Sequence, residues 1–222
     1  MIVQKQTLKF LQQLENNNNK PWFEANRKTY ETAKTNFLDF NAALIKKMEK
    51  IDPALSGLDP KKTTFRINRD VRFSKNKSPY KNNMGTTLNK GGKKMLTSGY
   101  YFHMQPGNKS FAAAGSYLPE PELLQNIRQE IDYNFAEFKK ILNSASFKKF
   151  YTDLDAGDKL KTVPKGYSAD NPAIEYLKNK SFTVSKIFTD KEVLSEDFLN
   201  TLTAAFKSAY TFIQFLNKPI ND

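Results

Sequence analysis

Tyr100-Tyr101-Phe102-His103-Met104-Gln105-Pro106-Gly107-Asn108-Lys109-Ser110-Phe111-Ala112-Ala113-Ala114 is the stretch that decides the fold class. Two runs, Tyr100 to Met104 and Ser110 to Ala114, flank the turn signal Pro106-Gly107-Asn108. Proline presets one turn dihedral, while glycine and asparagine tolerate positive φ, so the stretch reads as a β-hairpin. Side chains alternate across a strand, which puts Tyr101 and His103 on one face and Tyr100, Phe102 and Met104 on the other.

Working outward, Thr63 to Phe73 also alternates, with Phe65, Ile67, Val71 and Phe73 on one side and Arg66, Asn68, Asp70 and Arg72 on the other. This predicts a second strand region, in which Arg69 is out of pattern: either it is paired inside, or a bulge near Asn68 turns it outward. Ser74 to Ser98, rich in Lys, Asn and Gly, reads as a loop, and Ser181 to Phe188 as a further strand.

Both flanks carry helical periodicity. Leu8, Leu11 and Leu14 form one stripe, ended by the asparagines at 16–19. Pro21 opens a second helix whose Trp22, Asn26, Tyr30, Ala33, Phe37, Leu44 and Met48 share a face, expected to stop near Ile51 because Pro53 follows. Helices are predicted from Pro121 to Ile131 and Phe135 to Leu142, with a turn near Phe147 to Leu154 and a short helix from Asn171-Pro172 to Leu177. A closing helix, capped by Ser195, Glu196 and Asp197, carries Phe198, Leu202, Phe206, Ala209 and Ile213 on one face and ends at Lys218-Pro219. Together these predict an α+β fold: a small, mostly antiparallel sheet flanked by an N-terminal helical hairpin and C-terminal helices. With no internal repeat and no long linker, residues 1–222 read as one domain.

Charge is distributed unevenly. Between Lys61 and Lys94 stand eleven basic residues and one acid, Asp70, a net +10 in a chain whose total is +12. Such a block repels itself, so a surface that meets an anion is expected there. Zero cysteines excludes disulfides, thiol catalysis and thiolate metal sites, and fits a cytoplasmic location. One histidine and no cysteine rules out an ordinary zinc site; a Mg²⁺ site of Asp and Glu has no local ligand pattern behind it, and no cofactor is expected. The N-terminus lacks a secretory apolar run and no window reaches a membrane span, so no membrane partner is expected.

The string Phe65-Arg66-Ile67-Asn68-Arg69-Asp70-Val71-Arg72-Phe73-Ser74-Lys75, followed by Ser78-Pro79-Tyr80-Lys81, resembles the signature of a bacterial and fungal family catalogued as domain of unknown function 2461. Trp22-Phe23, Asn26-Arg27, Tyr30, Gly99 to His103, Pro119-Glu120-Pro121, Leu124, Ile127-Arg128 and Pro164-Lys165-Gly166-Tyr167 are similar to that family's pattern too. The chain departs from it at Asn171, where the resemblance implies histidine in many relatives. The resemblance implies a single-domain α+β protein and brings no activity, cofactor or catalytic residue with it.

The candidate site residues follow from the basic block. Arg66, Arg69 and Arg72 on one strand would repel by roughly 0.6 kcal/mol per pair at about 7 Å in water, so partial burial requires acids or a bound anion. Guanidinium forks fit phosphate or carboxylate; the alternative is ion pairing to acids such as Glu120, Glu122 or Glu175. Lys75, Lys77 and Lys81 surround Ser78-Pro79-Tyr80, where Tyr80 with Phe73 either offers a stacking platform or packs onto the core. Gly91-Gly92-Lys93-Lys94 fails as a phosphate loop, because Thr87 stands where the first glycine belongs and Lys94 where Ser or Thr belongs. Gly115-Ser116-Tyr117 lacks the second glycine of a nucleophile elbow, and Glu137-Phe138-Lys139 lies in a predicted helix rather than a nuclease strand. The expected function is anion binding, of a phosphate-bearing ligand or nucleic acid, through Arg66, Arg69, Arg72, Lys75, Lys77 and Lys81. The alternative is an enzyme acting on a small phosphorylated or carboxylated metabolite, with Asp70 or His103 as acid or base. Substrate and oligomeric state are not written in the sequence.

Overall fold

The computed structural model describes residues 1–92 and 97–221. Its hairpin forms as the turn chemistry dictates: β2 (Gly99–Met104) and β3 (Ser110–Ser116) pair antiparallel, with Tyr100 opposite Ala114 and Phe102 opposite Ala112. Gly107 and Asn108 take positive φ, +82° and +60°. Their backbone amides donate to the Asp190 carboxylate at 2.9 and 3.0 Å, so a distant acid fixes the turn. β4 (Phe182–Phe188) joins β3 and β1 (Met84–Leu88) joins β2, giving an antiparallel sheet in the order β1-β2-β3-β4. The predicted α+β class is what the chain adopts.

One face of this sheet is core. Tyr100, Phe102, Met104, Ala112, Ala114 and Val184 are all buried on it. Fully burying a phenylalanine contributes about 1.5–3 kcal/mol, and the rings make a continuous cluster: Phe102 packs on Phe37, Phe40 and Phe198. The helices supply the opposing layer. α1 (Lys5–Asn16) packs on α3 (Arg27–Met48), α3 packs on α10 (Phe198–Ser208), and α10 and α11 (Tyr210–Asn221) both lie on β3. α5 (Pro121–Tyr133) and α6 (Phe135–Leu142) sit against α11. The small side chains of Ala112 and Ala114 are what the helices approach on β3.

Several expectations are corrected. The helix from Pro21 is two: α2 (Lys20–Ala25) ends at Asn26, whose ψ of +16° breaks the run before α3 begins. The asparagine tract does more than stop α1. Asn19 caps α2 by accepting from the Trp22 amide at 3.0 Å, and Asn18 exchanges two hydrogen bonds with the Tyr80 backbone. The closing helix is also two, parted at Ala209, whose amide bonds back to Phe206 in a tightened turn. Pro219 sits inside the last turn of α11 rather than after it, where only one intrahelical bond is lost. Ser195 caps nothing; its hydroxyl donates to the Glu192 carbonyl and closes α9 (Asp190–Val193), which a Thr189–Glu192 capping box begins. α7 (Ala145–Lys148) and α8 (Ile174–Leu177) are single turns.

The largest correction concerns residues 60–98. β1 lies inside the stretch read as loop, and Thr63 to Phe73 is not a regular strand. α4 (Pro60–Thr63) takes its beginning, held by Asn41, whose Nδ2 donates to Pro60 O, Thr63 Oγ1 and Thr64 Oγ1. Thr64 then bridges Thr86 beside β1, and Asn68 bridges Tyr80. Its apolar residues share no face: Ile67 is buried, whereas Phe73 is 97 % exposed. β1 was missed because all five of its residues are buried, and a strand covered on both faces shows no alternation.

Candidate functional site

The basic segment is an irregular ribbon. Phe65 N donates to Gly85 O, Lys81 N to Ile67 O and Arg69 N to Pro79 O, so residues 65–69 run beside 79–81 and residues 70–78 form the tip. The three arginines have separate fates. Arg69 is half-buried and turned back into the tip, donating from Nη1 to Ser78 O at 3.0 Å and from Nη2 to Ser74 Oγ at 3.3 Å. Of the two expectations for Arg69, pairing inside is the one adopted, with loop oxygens as its partners. Arg72 grips Asp70 with two bonds, Nε–Oδ1 at 3.0 Å and Nη2–Oδ2 at 2.7 Å, both side chains being exposed. These bonds hold the Asp70 carboxyl below its ordinary range, with nearby Arg66 adding to the effect. Arg66 is exposed and, among the described residues, makes no hydrogen bond or ion pair.

The lysines divide likewise. Lys77 Nζ donates to Val71 O at 3.0 Å, and Lys81 Nζ lies 5.4 Å from the centre of the Phe65 ring. Lys75 is exposed with no hydrogen bond or ion pair among the described residues. Lys93 and Lys94 lie outside the described residues. Tyr80 is buried and stacks on Phe23 at 4.0 Å, which removes it as a platform. Phe73 instead stands at the tip, with the Arg72 guanidinium carbon 5.8 Å from its ring centre. None of Glu120, Glu122 and Glu175 pairs with these arginines; Glu175 binds Lys178 and Lys159.

His103 lies on the face of the sheet opposite the helices, half-buried beside Tyr101, as the alternation predicts. The Tyr101 hydroxyl is 3.1 Å from Nδ1, Gln105 Oε1 is 2.8 Å from Nε2, and Phe111 stacks on the ring at 4.7 Å. Burial lowers the His103 pKa, and nearby Lys81 adds to that effect. Burial raises that of Tyr101 to about 12. No contact joins His103 to Asp70.

A cleft of about 530 Å³ opens beside the ribbon, lined by Ile67, Asn68, Pro79 and Tyr80 on one side and α2 and α3 on the other. The helices bring Lys20, Glu24, Arg27, Glu31 and Lys34 to it, with Arg27–Glu24 paired at 2.6 Å and Lys34–Glu31 at 3.2 Å. None of Arg66, Arg69 and Arg72 lines it. This charged row is not among the expected site residues, although its 4-3-4-3 spacing is a signal present in the sequence.

The family model described as "Conserved hypothetical protein (DUF2461)" matches residues 6–215 of the 222. The chain belongs to this family. No curated protein and no solved structure matches it. In this DUF2461 chain the segments of the family pattern meet in space: Phe23 and Tyr30 pack together at 4.9 Å, and Tyr80 stacks on Phe23. Asn171 donates to Asp132 at 2.6 Å and accepts from the Ala173 amide at 2.8 Å, tying α5 to the start of α8. Among the described residues no helix is long and apolar enough to cross a membrane.

Proposed function

We propose that this DUF2461 protein binds phosphate-bearing polyanions through the tip of the basic ribbon, with single-stranded nucleic acid as the ligand that suits it best. The observation that carries this reading is the pairing pattern of the ribbon: its one acid is engaged by Arg72, while Arg66 in the arm and Lys75 at the tip make no hydrogen bond or ion pair among the described residues, and Phe73 at the tip is 97 % exposed. An exposed ring in a basic ribbon suits a polymer that offers both phosphates and stackable bases. The charge of the tip supplies affinity without sequence preference.

Fluorescence anisotropy with a labelled single-stranded oligonucleotide tests it. Affinity is expected to fall with salt by a log–log slope of about −0.7 per phosphate contacted. No binding at low salt, or affinity indifferent to salt, ends the proposal. The enzymatic alternative has one observation in its favour, the place of His103 beside Tyr101 on the sheet face opposite the helices. Turnover of small phosphorylated or carboxylated compounds, lost in His103→Gln, is its test.

A further inference from the structure

Away from the ribbon, a small cavity of about 60 Å³ lies between the turn at 53–55, the ends of β1 and β2, and α11. Its lining includes Asp52, Asn89, Ser98 and Tyr100, which are between 1 and 3 % exposed. Asp52 is a buried carboxylate with no ion pair among the described residues. It accepts one bond on each oxygen, from the Ala54 amide at 3.2 Å and from the Tyr100 hydroxyl at 3.1 Å. Burying an anion this way is expensive unless something compensates its charge.

Two further oxygens face the same problem. Asn89 Oδ1 and Ser98 Oγ are buried and, among the described residues, have no hydrogen-bond partner. Their placement is enforced. The Ser98 backbone is clamped by Asn217 of α11, its amide donating at 2.8 Å and its carbonyl accepting at 3.2 Å. Residue 99 must be glycine, since a Cβ there would stand 2.5 Å from both Asn89 Cβ and Leu88 O. The fold thus holds a carboxylate, an amide carbonyl, an aliphatic hydroxyl and a phenol around one small space.

We propose that this cavity is a binding site for one alkali-metal cation. Hard cations are held by oxygen donors of this kind, and one carboxylate among neutral oxygens balances a single positive charge better than a divalent ion. The volume admits an ion with one or two waters, each water needing about 10–15 Å³. Lys90 also lines the cavity but is exposed, and it makes no ion pair with Asp52. This inference is independent of the polyanion reading.

The test is thermal unfolding of the full chain exchanged into tetramethylammonium chloride, whose cation is too large to enter. Na⁺, K⁺ or Rb⁺ is then titrated at constant ionic strength. A saturable rise of about 3–6 °C at ten times Kd is expected for at least one ion. Ser98→Ala removes a hydroxyl that bonds nothing in the protein, so it keeps the melting temperature in tetramethylammonium while raising the titration midpoint by about tenfold. Crystals grown in rubidium chloride should show an anomalous peak in the cavity. Equal melting temperatures in all salts, a midpoint unmoved by Ser98→Ala, water alone or the Lys90 ammonium in the cavity, or a response to Ca²⁺ only, each overturns the proposal.

Discussion

The Tyr101 hydroxyl lies 3.1 Å from Nδ1 of His103, and it donates there because Gln105 on the other side fixes the tautomer of the chain's one histidine. Gln105 Oε1 can only accept, so Nε2 carries the proton and Nδ1 receives Tyr101. Both nitrogens are satisfied in the neutral ring, and burial disfavours charging it. The folded pKa therefore lies below the unfolded value of about 6.5. As pH falls through that value the unfolded chain takes up the proton first, so this histidine's contribution to stability is lost on acidification. Melting temperature should drop between about pH 7 and the folded pKa, and His103→Gln should flatten that part of the profile. An NMR titration placing the His103 pKa at or above 6.5 would refute the assignment.

Gly115 and Phe182 sit closer than any side chain permits. A Cβ on Gly115 would stand 1.9 Å from the Phe182 carbonyl oxygen, and its φ is +132°. Because the obstacle is backbone of a paired strand, relief requires parting β3 from β4. Gly115→Ala is expected to cost more than about 3 kcal/mol in urea unfolding, above the ordinary range for a single substitution.

Arg69 and Arg66 should separate stability from binding. Removing the Arg69 guanidinium frees Ser78 O and Ser74 Oγ, so Arg69→Ala should lose about 1–3 kcal/mol and expose residues 70–78 to protease. Arg66→Ala should leave unfolding within about 0.5 kcal/mol of the parent, because that exposed side chain makes no hydrogen bond or ion pair among the described residues, yet weaken oligonucleotide binding and reduce the salt slope. The opposite pattern would mean that the two roles are exchanged.

Phe73→Ala tests the aromatic half of the same proposal. At 97 % exposure the ring stabilises little, so the melting temperature should not move. If a base stacks on it, affinity falls by roughly 5- to 150-fold, the equivalent of about 1–3 kcal/mol, with the salt slope unchanged. Unaltered affinity would confine recognition to charge.

What the sequence made legible follows from how local the signals were. The hairpin at Pro106-Gly107-Asn108 was readable because turn chemistry lies within a few residues, and β4 because Phe182, Val184 and Phe188 alternate with exposed positions. β1 was not, since Met84 to Leu88 is covered on both sides by neighbours far away in the chain. Phe65, Ile67 and Phe73 mislead for the complementary reason: they share a period but pack on Tyr101, line the cleft beside Tyr80, and face solvent, respectively. The candidate cations were located by charge alone, yet which of them are committed could not be read. Arg69's partners are loop oxygens that composition does not reveal. Asp52, Asn89 and Ser98 carry no pattern at all, because tertiary structure alone assembles them.

The short bridge from Thr64 to Thr86 has a consequence for the molecule in a crowded solution. Together with the bond from Phe65 N to Gly85 O it covers part of the outer rim of β1, while Asp155 N, donating to Thr183 O at 2.8 Å, does the same along β4. Both outer strands therefore have some of their hydrogen-bonding groups already occupied by the chain itself, which leaves fewer for a neighbouring molecule to extend the sheet. Loosening residues 64–65 from β1 would bare that rim, and self-association through strand pairing would be the first hazard to appear.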